Sequence, residues 1–202
     1  MMVSKKYIHV VFVAVLAALF GSAEAQDMEL LPNTSPSLAA SSNLLYDATA
    51  SLNVAAEFQI KKKWTLKVPI AYNPWQYGKE VGSIKQFKFV LVQPELRRWL
   101  CEPFTGWFFG VHAHYAKFNV AGYDIGNLKD HRFEGDIYGV GLSAGYDFYL
   151  APRWSLEASL GLGYARAVYD RYNCTTCGYE GSDKDNYIGP TQVGISLIYL
   201  IK

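Results

Sequence analysis

Residues 154–169 alternate large apolar side chains with small or polar ones for almost their whole length. Trp154, Leu156, Ala158, Leu160, Leu162 and Tyr164 fall on one parity, and Ser155, Glu157, Ser159, Gly161, Gly163 and Ala165 on the other. A two-residue period is the signature of a β-strand. In a water-soluble sandwich the second face would carry Lys, Glu, Thr and Asp to meet solvent. Here it holds Gly, Ser and Ala with one carboxylate, which suits the cramped polar interior of a small transmembrane barrel, while the apolar face suits lipid.

The same period recurs at 38–48, 52–60, 63–72, 86–100, 106–120, 134–150 and 187–201. With 153–169 these make eight strands, most of them reaching the roughly 9–11 residues that a tilted membrane strand needs. The connections alternate in length: 61–63, 101–106 and 151–153 are short, whereas 73–85, 121–133 and 170–186 are long and polar. Outer-membrane barrels keep short turns on the periplasmic side and long loops outside. The fold expected is therefore all-β, an eight-stranded antiparallel up-and-down transmembrane β-barrel with an unusually tight outer loop at 49–51. Trp64, Trp99, Trp107 and Trp154 all lie near the short turns, as expected of an interfacial aromatic belt, and Tyr residues gather near the other rim.

The N-terminus carries Lys5 and Lys6, a short apolar run over 8–20 and an Ala23-Glu24-Ala25 cleavage pattern. That combination reads as a signal peptide over 1–25, followed by an irregular periplasmic leader over 26–37 and the barrel over 38–202. The expected location is the outer membrane, with both mature termini in the periplasm. Removing Lys5, Lys6 and Glu24 from 19 basic and 18 acidic residues leaves the charge balanced, which gives no sign of a nucleic-acid surface. Of three cysteines, Cys174 and Cys177 lie together in Asn-Cys-Thr-Thr-Cys-Gly and are expected to form a loop disulfide, leaving Cys101 unpaired.

Parity assigns Val54, Phe58, Ile70, Leu96, Phe109, Val111, Val140 and Leu142 to lipid. It sends Glu57, Lys67, Glu95, Arg97, His112, His114, Asp147 and Glu157 to the interior, with Asn53, Gln59, Gln93, Ser143 and several glycines. These charges could form a proton relay or an acid/base pair. An eight-strand barrel is only wide enough to fill with side chains, so a buried polar network with a sealed lumen is the preferred reading. His112 and His114 share one strand face at a spacing that could hold a metal, but no further ligand pair or nucleophile motif accompanies them. No catalytic residue, cofactor site or metal site is expected.

With these residues laid out, the chain resembles a Bacteroidetes outer-membrane-barrel family catalogued as domain-of-unknown-function 3575, a small OmpA-like barrel. The resemblance runs from about Asn43 to Lys202. It is carried by Asn43-Leu44-Leu45-Tyr46-Asp47-Ala48, Tyr72-Asn73-Pro74-Trp75, Val92-Gln93-Pro94-Glu95-Leu96-Arg97 with Trp99-Leu100-Cys101, Phe108-Phe109-Gly110, the Cys174/Cys177 pair, and Gly189-Pro190-Thr191 with Ser196-Leu197-Ile198-Tyr199. It implies a small outer-membrane barrel, often encoded near fimbrial or other surface-structure genes, and supplies no catalytic residue. The terminus lacks a final Phe, leaving Tyr199 as the residue for insertase recognition.

The function expected is non-enzymatic: envelope integrity, adhesion or surface-fibre assembly through the outer loops. The partners would be outer-membrane lipid and lipopolysaccharide, the barrel insertion machinery and other envelope proteins. Two rivals remain, an outer-leaflet lipid-modifying enzyme and a soluble periplasmic ligand-binding barrel.

Overall fold

A computed structural model of the chain describes residues 36–77, 85–122, 131–173 and 178–201. Its strands are β1 (Leu38–Asn43), β2 (Leu52–Lys61), β3 (Trp64–Asn73), β4 (Gln76–Tyr77), β5 (Lys85–Val92), β6 (Glu95–Trp99), β7 (Gly106–Ala121), β8 (His131–Ala151), β9 (Trp154–Asn173) and β10 (Tyr179–Ile201), with one helical turn, α1 (Leu44–Ala48). All pairings are antiparallel. β1 pairs with β2 and β2 with β3. β5 and β6, two halves of one interrupted stave, both pair with β3 on one side and β7 on the other, and β4 adds a short flap on β5. β7 to β10 follow in order until β10 pairs with β1, so the sheet closes into a ring. The fold is all-β. The expected signal peptide, most of the leader, and Cys174 and Cys177 lie outside the described residues.

The ring is inside out relative to a soluble core. Leu142 is 68 % exposed on the outer wall, and Phe109, Val111, Val140 and Leu162 share that wall, whereas Arg97 and Glu95 inside are 0 % exposed. The glycines on β8 make this possible, because large inward side chains of β7 lie opposite them. His112 pairs with Gly141, His114 with Gly139 and Phe108 with Gly145. A Cβ on Gly141 would come within 2.6 Å of His112 Nε2.

Four departures from the sequence reading have physical causes. The first strand stops at Asn43 rather than continuing to Ala48, because the Asn43 carboxamide caps α1 by accepting from Leu45 N at 3.1 Å. The stretch 86–100 is interrupted at Gln93-Pro94, where proline has no N–H for the ladder, although Pro94 O still accepts from Ala113 N at 3.0 Å. Much of 170–186 is strand rather than loop, pairing from Tyr172↔Tyr179 to Ala165↔Tyr187.

Trp99 points inward rather than joining an interfacial belt; it is buried and donates to Thr65 Oγ1 at 2.9 Å. Beside it Phe104, held at φ 63, turns its ring back under the barrel against Ala39 and Ile198. A positive φ is costly for an aromatic residue, and this one closes the floor at the short-turn end.

Candidate functional site

The interior is layered. Next above the aromatic floor lies a charged layer built on neighbouring staves: Glu57 on β2, Lys67 on β3, Glu95 and Arg97 on β6, Asp147 on β8 and Glu157 on β9. Glu57 stands opposite Lys67, Lys67 opposite Glu95, and Asp147 opposite Glu157, so the registers of these strand pairs bring the charges together.

Arg97 organises the layer. Its Nη1 lies 2.6 Å from Glu157 Oε2 and 3.1 Å from Glu57 Oε2, and its Nη2 lies 2.8 Å from Glu95 Oε2. The guanidinium also sits over the Phe108 ring, 4.1 Å from its centroid. Lys67 Nζ lies 3.0 Å from Glu157 Oε1. Thr65 donates to Glu57 at 2.5 Å, Ser143 donates to Glu95, and Gln192 Nε2 donates to Glu95 at 3.1 Å. Two cations thus face four carboxylates, and neither oxygen of Asp147 has a hydrogen-bond partner among the described residues.

Charges removed from water and locked to one another in this way form a girdle across the interior, held by Arg97 and Lys67. Thr65, Trp99, Phe108 and Gln192 belong to it and escaped the sequence reading. Their type does not announce such a role, although parity with Lys67, Arg97, His112 and Gly194 puts all four inside.

His112 and His114 lie above this layer, ring centroids 5.9 Å apart. His112 Nε2 is 2.9 Å from Thr191 Oγ1, a base beside a hydroxyl, but Nδ1 of His112 has no partner among the described residues. Nucleophilic catalysis uses a third group to orient the imidazole, and none contacts His112 Nδ1 among the described residues. No cluster of three His, Cys, Asp or Glu side chains suited to a metal occurs among the described residues. Cys101 is exposed and has no disulfide partner among the described residues.

The upper interior differs from the expected polar filling. Above Gln93 the inward side chains of β5 are Leu91 and Phe89, and above His114 those of β7 are Ala116 and Phe118. Together they line a cavity of about 670 Å³. Tyr46 of α1 reaches across to Phe89, ring centroids 6.1 Å apart.

At the far end of the long hairpins, β8, β9 and β10 carry a dense polar surface. Tyr169 donates to Asp185 at 2.6 Å, which pushes the Tyr169 hydroxyl up to about 12. Arg171 pairs with Glu180 at 3.1 Å, and Tyr172 packs edge-on against Tyr179.

A family model described as "Protein of unknown function (DUF3575)" matches residues 10–201. Comparison with curated proteins and with solved structures returned no match.

Proposed function

The chain belongs to the DUF3575 family of proteins of unknown function, and from that premise we propose that it is an outer-membrane β-barrel with a structural or interactive role at the cell surface. The observation that carries this reading is the apolar outer wall surrounding an interior girdle of Arg97, Lys67 and four carboxylates. Soluble proteins rarely expose a continuous apolar belt, and a closed ring satisfies the backbone groups that lipid cannot. The short turns face the periplasm, after export directed by residues 1–25.

Strands β8, β9 and β10 are 21, 20 and 23 residues long, about twice what a tilted span needs. Their outer halves therefore stand beyond the membrane as a stiff blade. Its Tyr, Arg and acidic groups are the recognition surface for adhesion, envelope integrity or surface-fibre assembly, since rigid scaffolds carry recognition at their outer ends. The Arg97 girdle supports that blade and does no chemistry.

Extraction tests the membrane assignment: the protein should remain with the outer membrane through osmotic shock and carbonate washing and come off with detergent. Release without detergent would overturn it. Trimming the hairpin above Ala165 and Tyr187 should abolish a surface phenotype while leaving the heat-modifiable barrel intact, and an unchanged phenotype would reject the blade as the working surface.

A further inference from the structure

The cavity in the upper interior is lined by Leu91, Phe89 and Phe118 together with the small Ala55, Pro69 and Ala71. These lie on the contiguous staves β2, β3, β5 and β7, with Ala71 beside Leu91 in the ladder, and the small residues leave the space open. Interiors are normally packed without such voids, and about 670 Å³ falls within the range of roughly 300–1,000 Å³ seen for small-molecule sites. The floor is polar but occupied with itself: Lys67 is bound to Glu157, and Gln93 Nε2 reaches Gln192 Oε1 at 3.4 Å. The walls offer carbon, so the cavity favours an apolar guest.

The ring is also thinnest beside this cavity. β10 pairs with β1 only from Ser196 to Ile201, and β1 pairs with β2 only up to Ser41↔Ala55. Above that point α1 stands where a strand would be. Across the resulting seam the Asn43 side chain donates to Val193 O at 3.3 Å and accepts from Ile195 N at 3.4 Å. Pro190, which has no N–H to pair, lies on this edge of β10 beside a register shift against β9. The cavity lining includes Val54, Ile70 and Val193, which are exposed on the outer wall. Apolar side chains of the outer wall therefore border the same cavity as those of the upper interior, and what separates them at the seam is a small polar clasp in which Asn53 of β2 accepts from Asn43 N at 2.6 Å and donates to Asp47 at 2.7 Å.

We propose that this cavity receives one acyl chain of a membrane lipid, entering sideways through the seam between β2 and β10, with the head group left at the seam. The inference rests on the membrane assignment above. The shared apolar border selects a lipid chain over a polar solute, because polar lining groups such as Asn53 and Thr49 are already bonded to their neighbours. Asn43 is the latch of the seam, because its carboxamide bridges the edge of β10 and also caps α1.

Reconstitution of the full-length mature protein in bilayers with a phospholipid bearing a diazirine near the end of one acyl chain tests this, with crosslinks assigned residue by residue. Lumen labelling at Phe89 and Phe118 is expected together with outer-wall labelling at Val111 and Leu142. Ala116→Trp on β7, and independently Ala71→Phe on β3, should abolish the lumen crosslinks and leave the outer-wall ones in place. Heat-modifiable migration reports whether each variant folds.

Outer-wall labelling without lumen labelling in the wild type would overturn the inference and leave the membrane assignment standing. Absence of both would remove both. A soluble diazirine fatty acid reaching the lumen while the phospholipid marks only the outer wall would overturn the lateral route.

Discussion

Arg97 and Glu157 meet as a fork on a fork: Nη1 lies 2.6 Å from Oε2 and Nη2 3.1 Å from Oε1 of the same carboxylate. Glu95 and Glu57 take the flanks of the guanidinium, so one cation on β6 ties together β2, β6 and β9. Two parallel charge-assisted bonds to one carboxylate are among the strongest side-chain contacts available.

Arg97→Met should therefore destabilise the barrel by about 3–5 kcal/mol, since it leaves buried carboxylates facing one another. Arg97→Lys should recover only part of that loss, because an ammonium is a point charge that cannot span the same oxygens. Unfolding in detergent followed by heat-modifiable migration reads both. A wild-type midpoint for Arg97→Met would show that the girdle does not hold the barrel together.

Asp147 and Glu157 should respond in opposite ways to the same change. Glu157 is bonded to Arg97 and Lys67, whereas Asp147 has no hydrogen-bond partner among the described residues and stands opposite Glu157 in the ladder. Asp147→Asn removes a negative charge from a layer with more carboxylates than cations and should leave the midpoint unchanged or raised. Glu157→Gln should lower it. Equal losses in the two variants would refute this account of the charge balance.

Gly141 makes room for His112. A Cβ there would lie 2.6 Å from His112 Nε2 and 2.7 Å from Leu162 O, so Gly141→Ala forces a shift in both. Overpacking of this kind costs roughly 1–3 kcal/mol. Adding His112→Ala should restore part of the loss by freeing the side-chain contact, while the backbone contact remains. Purely additive losses in the double variant would mean that the two residues do not share the space.

How much of this could be read in advance follows from what parity can and cannot encode. Alternation along β2, β3, β7, β8 and β9 was legible because one face of each strand is apolar and the other polar or small, as at Val111 against His112. Parity could not reveal that Asn43 would cap a helical turn, since capping competes with strand pairing through local hydrogen bonds. Parity with Gln93 and His114 puts Phe89 and Phe118 inside, but it could not reveal the space around them. An apolar residue on the inward parity of a barrel reads as an exception until the small residues lining the same cavity, Ala55, Pro69 and Ala71, are known, and those lie on different strands. Trp99 escaped for a related reason: its nearness to a turn suggested an interface, while its parity with Arg97 already set it inside.

Cys101 offers a direct measure of which end faces which compartment. It is exposed in the turn between β6 and β7, at the floor end closed by Trp99 and Phe104. Lys184 is exposed on the outer half of β10, opposite Val168. In a Cys174→Ser/Cys177→Ser background, a membrane-impermeant maleimide should leave Cys101 unlabelled in intact cells and modify it once the outer membrane is permeabilised. In the same background with Cys101→Ser, Lys184→Cys should be modified in intact cells. The short turns would then face the periplasm and the blade the exterior. Labelling of Cys101 alone in intact cells would invert the barrel, and with it the assignment of the β8–β10 blade to the cell surface.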